Sequence, residues 1–493
     1  MSTALVNVFN GGMVTDPRSS GSFCRLSKHF DVFTNKHSLV PYKGSEDAYA
    51  SQTTIKIQSF LMYLGSLYGL GVVSGTGRAQ INVTSAIDIP SWGVPTNGQD
   101  SAGTTNFELF VEYYGVLYGA SAGTRIWGYD IAGTTFTATA LSITYTNVAQ
   151  GLVHSKDDIL YIPYDNKIVK KDNSVGSTVT TGWESPALTL PANLIITSIC
   201  EYGNYLAIAC RGKSFGVNSV VYLWDRDSTL TTISESIDWG NNNLYQIENI
   251  EGYLIGVSTR NSLGSTVSSK MILKMYGGGG AIQFDEVESQ GFTITGKQKV
   301  NNRMYFGVSA TSLGGTTYDY VGVWSVGRNG QNEPFSVNID RAADNDTLPQ
   351  LIKGFYLINE YFYISYLDAG TGDFGLSKTD DQNLYATTSL YETVMNPGMK
   401  DEDKLKKKQL NAVLVNYEPL PTAAQVVLKY KVDSGSWVTV FTETTDSVNF
   451  TERVMAVSSQ FTAGRDYEFR IESSGGAKIT GLMYRYQVLP TQI

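Results

Sequence analysis

Along the middle of the chain, hydrophobic residues come in short runs that alternate with polar positions and are bounded by Gly, Asn, Asp and Ser. That period of two marks strands with one covered face, and convincing amphipathic helical stretches are nearly absent. One unit recurs: a polar or glycine turn, a pair of large apolar residues, then an alternation of small and apolar residues. It begins at Leu64-Gly-Ser-Leu, Tyr114-Gly-Val-Leu, Lys156-Asp-Asp-Ile, Tyr202-Gly-Asn-Tyr, Glu251-Gly-Tyr, Asn301-Asn-Arg-Met and Asn359-Glu-Tyr-Phe. With Leu67, Leu117, Leu160, Tyr205, Tyr253, Met304 and Phe362 as register marks, the separations are 50, 43, 45, 48, 51 and 58 residues. A second strand follows several of the marks, at 124–130, 166–170, 219–225, 270–274 and 318–324.

A period of about 40–50 residues with several strands per unit is the mark of propeller blades. One such sheet cannot bury both apolar faces alone; stacking sheets around an axis covers both, and closing the ring leaves no terminal sheet exposed. The expectation is therefore an all-β protein with a β-propeller of about seven blades over 51–395. The alternative is a set of unrelated hairpins in one large sandwich.

The two ends read differently. Residues 1–50 lack the strand period and predict an extended N-terminal arm. Its apolar residues Phe23, Phe30, Phe33, Leu39 and Val40 need a surface to cover, so they are the expected subunit-contact residues, lying along a neighbour or the propeller rim. At the other end Asn396-Pro-Gly breaks the chain, and the charge run Lys400-Asp-Glu-Asp-Lys404-Leu-Lys-Lys-Lys408 follows, expected as a solvated boundary. Strands at 410–417, 425–432, 437–442, 467–471 and 477–488 then predict a C-terminal β-sandwich over 396–493.

Composition narrows the function. The chain has 493 residues, 17% charged, with a net charge of −9. An acidic chain lacks the basic field that nucleic-acid binding requires, and it would be repelled by an anionic membrane. Gly 49, Tyr 31 and Phe 20 suit turns and strands. Cys24, Cys200 and Cys210 are too few for a disulfide framework. The opening residues carry no basic segment before an apolar run, which predicts no secretory leader, and no apolar stretch is long enough for a transmembrane helix.

Candidate chemistry is sparse. A Ser–His–Asp triad would have to use His29, His37 or His154, and none stands near a nucleophile motif. Cys24, His29 and His37 lack zinc-site spacing. Gly212-Lys213-Ser214 ends like a phosphate loop, yet Ala207 replaces its first glycine and the segment reads as strand. The glycines at 277–280 read as a hairpin tip. Asp433-Ser-Gly-Ser-Trp437 is one residue short of a sialidase aspartate box, and Asp344-Asn-Asp346 lacks the rest of a calcium loop. Trp224-Asp225 occurs once and reads as an ordinary strand end. The expectation is a protein that is not an enzyme, with no cofactor and no metal.

Phe9-Asn-Gly-Gly-Met, Asp16-Pro-Arg, His29-Phe-Asp-Val-Phe and Leu39-Val-Pro-Tyr together resemble the N-termini of tailed-bacteriophage virion structural proteins, in which such an arm precedes a propeller. Tyr430-Lys-Val-Asp, Tyr467-Glu-Phe-Arg-Ile and Tyr484-Arg-Tyr look like the terminal sandwich of tail or neck proteins. The resemblance implies a nozzle-like neck or tail component, assembled in the host cytoplasm and resident in the virion. Its partners would be other tail or neck proteins and copies of itself in a ring through which DNA only passes, with no membrane involved. Other readings are a glycan- or receptor-binding tail-tip protein and a propeller-type polysaccharide-degrading enzyme.

Overall fold

The computed structural model describes residues 2–6, 9, 13, 24, 26–35, 37–47, 55–73, 79–88, 90–95, 111–121, 125–138, 141, 143, 145–173, 178–214, 216–229, 232–261, 268–288, 291–310, 321–328, 330–342, 350–368, 374–380, 388–395, 406–444, 452–457 and 461–489. Among them every element is a strand, and no helix is long and apolar enough to cross a membrane. The chain forms two compact units: residues 47–321 with 345–378, and residues 1–46 with 322–344 and 379–493. These divisions differ from the expected boundaries at 50 and 395. Both the opening segment and 322–344 group with the C-terminal strands.

The larger unit is the propeller, whose strands among the described residues fall into seven antiparallel sets. Four of these sets have all four strands within this unit. They are Val111–Tyr113, Val116–Ser121, Arg125–Asp130 and Thr135–Ala138; then Leu152–His154, Ile159–Tyr164, Lys167–Lys171 and Trp183–Thr189; then Leu194–Tyr202, Tyr205–Gly212, Ser219–Trp224 and Ile233–Gly240; then Asn243–Ile250, Tyr253–Asn261, Ser268–Tyr276 and Ile282–Glu288. These are the second to fifth blades. The first is three-stranded: Ile55–Tyr63, Ser66–Val73 and Ala79–Thr84. The sixth contributes the hairpin Phe292–Val300 and Arg303–Ala310, and the seventh Gln350–Ile358, Tyr361–Asp368 and Phe374–Thr379. All seven register marks lie in the second strand of a blade, just after its first turn.

Apolar cores form between blades rather than within them. Tyr68, Leu70 and Ile81 of the first blade meet Leu117, Trp127 and Tyr129 of the second. Leu160 and Ile162 meet Tyr113 and Tyr118, Leu206 and Trp224 meet Tyr161 and Ile168, and Leu244 and Leu254 meet Ala207 and Trp239. Fully burying one such side chain contributes about 1.5–3 kcal/mol, so each blade depends on its neighbours. The ring closes between the seventh and first blades, where Ile57, Phe60 and Leu67 pack on Tyr363 and Leu376. A Cβ added at Gly354 would sit 2.6 Å from the carbonyl oxygen of Gln58, so only glycine lets these two inner strands approach so closely.

The smaller unit is a β-sandwich. One sheet has the order Ser2–Val6, Ile479–Val488, Lys408–Tyr417, Glu452–Val457. In the other, Leu26–Lys28 lies between Ser336–Ala342 and Ser389–Val394, followed by Tyr467–Ser474, Gln425–Val432 and Val438–Glu443. Inward and outward residues alternate along these strands, and Phe469 stacks on Tyr484 across the core at 5.6 Å. The outward face of the second sheet carries a charge ladder: Lys431–Glu468 at 2.9 Å, Lys429–Glu472 at 2.6 Å, and Arg470 with Glu392, with Trp437 covering Lys431 and Arg470.

Of the expected subunit-contact residues, Phe30, Phe33 and Leu39 are used inside this unit. Phe30 and Leu39 are fully buried, Phe33 is buried, and Val40 is half-buried and paired to Asp31. Phe23 lies outside the described residues. The opening segment is held by hydrogen bonds from the Asn338 side chain to the Phe30 carbonyl, from the Ala342 amide to His29 Nε2, and from the Arg341 guanidinium to the Lys43 carbonyl. Burial, helped by the nearby Arg341 and Lys28 charges, holds the His29 pKa well below the usual imidazole range. Phe30, Phe33 and Leu39 therefore do not form a free surface for a neighbour. Likewise Lys408, the end of the charge run, is buried and donates to the Arg465 carbonyl at 2.6 Å, whereas 396–405 lie outside the described residues.

Candidate functional site

The propeller offers two features of interest: the axis and the face that carries the first turn of each blade. At the axis, the inner strands repeat one irregularity. An extra residue is inserted between Ile57 and Ser59, between Ile196 and Ser198, between Leu244 and Gln246, and between Ile352 and Gly354. In the sixth blade Gly296 and Lys297 interrupt the pairing between Thr295 and Gln298, with Gly296 at φ 60°. A β-bulge bends its strand and redirects a side chain. Here Gln58, Thr197, Tyr245, Lys297 and Lys353 all line an axial cavity of about 1040 Å³.

Several charged groups around this cavity fasten blades together. Lys297 Nζ donates to the carbonyls of Ile199 at 2.6 Å and Ile247 at 2.8 Å, and it pairs with Glu248 at 3.0 Å. One ammonium thus joins the fourth, fifth and sixth blades. Lys299 Nζ donates to the Asn249 carbonyl at 2.5 Å, and the Gln298 amide exchanges two hydrogen bonds with the backbone of Leu357 in the seventh blade. Cys200 lines the same cavity, and burial, reinforced by the Glu248 charge, pushes its thiol pKa upward, so it is a poor nucleophile.

On the turn face, the blades are linked in sequence. Tyr113 Oη donates to the Asp158 carbonyl at 2.7 Å, Tyr114 Oη to the Asp158 carboxylate, the Ser155 hydroxyl to Glu201 at 2.6 Å, and the Asn302 amide to Glu251 at 3.0 Å. The turns themselves need a residue with positive φ. Asp158, Glu251, Asn301 and Asn359 supply it in four blades and Gly203 in another. In the first two blades that residue is Leu64, φ 46° and 85% exposed, and Tyr114, φ 50° and 59% exposed. A bulky apolar residue in the left-handed region costs roughly 1–2 kcal/mol, and its exposure recovers nothing from burial. The two turns are adjacent, since a Cβ on Gly115 would lie 3.5 Å from Tyr63 Oη. The sequence carried this signal: alignment of the seven turns shows an apolar residue where other blades have Asp, Asn, Glu or Gly.

The remaining sequence candidates fall into structural roles. His154 is buried, and Arg226 holds it together with Asp157, the Arg226 Nε to Asp157 Oδ2 distance being 2.5 Å. Gly212 ends a strand, and the glycines at 278–280 form a hairpin tip with positive φ. Asp433 and Ser434 form a hairpin turn, with Asp433 Oδ1 accepting from the amides of Arg465 and Asp466. Asp344-Asn-Asp346 lies outside the described residues, among which no group of acidic, histidine or cysteine side chains could hold a metal. All three cysteines are buried and unpaired to each other.

One acid stands apart. Asp285, in the outer strand of the fifth blade, has its pKa pushed up to about 8, first by burial and then by the neighbouring Glu286 charge, while the Glu286 amide opposes the shift. The folded state keeps a proton that the unfolded chain releases above its ordinary carboxylate range. Its contribution to stability is therefore full in acid and is lost as the pH rises toward about 8. The Asp285→Asn variant is expected to match the wild type near pH 4 and to exceed it by on the order of 2 kcal/mol at pH 8.5, read as urea midpoints across that range. A constant difference at all pH values would count against this assignment.

No family model matches the chain, and no curated protein matches it. Among solved structures it is similar to the N-terminal domain of Nup159, at 9% identity, covering 72% of this chain and 99% of that one, with a TM-score of 0.41. It is also similar to the Dos1 propeller, at 11% identity, 72% and 93% coverage and a TM-score of 0.40. BamB from Moraxella catarrhalis gives 11% identity, 76% and 98% coverage and a TM-score of 0.39. At such identities the likeness is one of fold alone.

Proposed function

We propose that this chain is a non-enzymatic structural component of a bacteriophage virion, a nozzle-like neck or tail protein that binds neighbouring subunits in a ring through which DNA passes. The observation that carries the binding role is the pair of exposed residues Leu64 and Tyr114, each held in a costly backbone conformation at the first turn of its blade. Leu64, 85% exposed in that conformation, lowers the stability of the isolated protein and recovers nothing from burial, so a use outside the chain explains it better than a use within it; Tyr114, whose hydroxyl also serves Asp158 within the chain, presents an exposed ring on the next turn. Exposed apolar groups on a rigid frame suit docking, because little conformational freedom is lost when a partner covers them. The charged groups that fasten the blades supply that frame. The placement in a phage particle rests on the sequence resemblance of both ends of the chain.

Leu64→Asn tests this reading, because Asn accepts the left-handed turn at low cost and removes the apolar anchor. The isolated variant is expected to gain about 1 kcal/mol of stability while its incorporation into assembled particles falls severalfold, most strongly when combined with Tyr114→Asn. Incorporation at the wild-type level by a folded double variant would sink the proposed docking role.

A further inference from the structure

The chain as a whole has a net charge of −9, yet the axial cavity has the opposite balance. Its charged lining comprises Arg211, Lys297, Lys299 and Lys353 against Glu201 and Glu248, an excess of two positive charges. Most of these groups are engaged: Lys297 with Glu248 and two carbonyls, Lys299 with the Asn249 carbonyl, and Glu201 with Ser155. Arg211 differs. It lies at the end of the strand Tyr205–Gly212, and its guanidinium carbon stands 5.9 Å from the centre of the Tyr245 ring. Its Nε is shielded from solvent and has no hydrogen-bond partner. Across the same cavity Gln58 Oε1 is also shielded without a partner.

A buried donor without an acceptor costs about 1–3 kcal/mol, and more on a charged group. A guanidinium offers a planar fork of donors that matches an oxyanion, and a neighbouring aromatic face holds that fork in place. The cavity, about 1040 Å³, is at the upper end of the size that encloses a small organic molecule. We propose that the propeller axis is a binding site for a small oxyanion-bearing molecule, of carboxylate or phosphate type, with Arg211 as its principal anchor. Arg211 Nε meets one oxygen of the anion, the bulge residue Lys353 adds positive potential, and Gln58 Oε1 accepts from a hydroxyl or amide of the ligand. The site is independent of the turn face and of whatever the turn face binds.

The test is a titration of the full chain with citrate and, separately, with inorganic phosphate at constant ionic strength, followed by calorimetry and thermal unfolding. Wild type is expected to show saturable binding and a rising Tm with one or both anions; the anion that binds identifies the chemistry. Arg211→Gln is expected to weaken binding at least tenfold, and Arg211→Lys to weaken it less, because it keeps the charge and loses the fork. Folding of each variant is checked by its unligated unfolding transition. No saturable binding of either anion to the wild type, or equal binding to a folded Arg211→Gln, would overturn the proposal.

Discussion

Removing residues 1–45 is expected to unfold the sandwich unit. Ser2–Val6 pairs with Ile479–Val488, and Leu26–Lys28 is an interior strand with partners on both sides. Phe9, Cys24, Phe30, Val32 and Leu39 are completely buried, and Phe9 meets Tyr391 edge to face at 5.5 Å. Each large apolar side chain lost removes about 1.5–3 kcal/mol, and several together exceed the roughly 5–15 kcal/mol that separates most folded domains from their unfolded state. The deletion also strips Asn338, Arg341 and Asp340 of partners in a buried region, since Tyr42 Oη donates to Asp340 at 3.2 Å. Limited proteolysis is expected to digest the sandwich strands of the truncated protein while fragments of the propeller resist. The milder Phe30→Ala is expected to cost about 3–5 kcal/mol by urea unfolding. A truncated protein with both units protease-resistant would show that the opening segment is dispensable for folding.

The second large effect is expected at Lys297. Lys297→Met removes an ammonium that joins three blades, leaving the carbonyls of Ile199 and Ile247 without that donor and Glu248 without its counter-charge in a largely buried position. Breaking one partner of a buried ion pair costs about 3–5 kcal/mol, because the remaining charge stays desolvated. For a unit of this size that corresponds to a fall in Tm of about 5–8 °C. The double variant Lys297→Met with Glu248→Gln is expected to recover part of the loss, because the residual charge is gone. Calorimetry of the two variants separates these terms; equal Tm values for wild type and Lys297→Met would show that the ammonium does not fasten the blades.

The propeller was legible because its signal is local. A turn that needs positive φ, followed by two apolar residues, is written within a few positions, and Leu67, Leu117, Leu160, Tyr205, Tyr253, Met304 and Phe362 all mark the strand after that turn. The C-terminal strands were legible for the same reason: their alternation has the period of the pleat. The place of the opening segment was not. Leu26–Lys28 pairs with strands more than 300 residues away, and neither periodicity nor turn chemistry encodes such a partner. Its apolar residues showed that they needed cover, without showing that the cover lies within the same chain. The axial bulges were equally hidden, because one extra residue in an inner strand is visible only against its paired neighbour. Leu64 and Tyr114 were within the quoted turns, but their significance depends on comparison with the polar residues at the same position in other blades.

The most direct test of the account is an electron-microscopy reconstruction of an assembled particle that contains this chain. The expected result is a ring of copies in which the Leu64 and Tyr114 turns are covered by an adjoining subunit. Finding those two turns open to solvent in every copy, or the protein absent from purified particles, would contradict it.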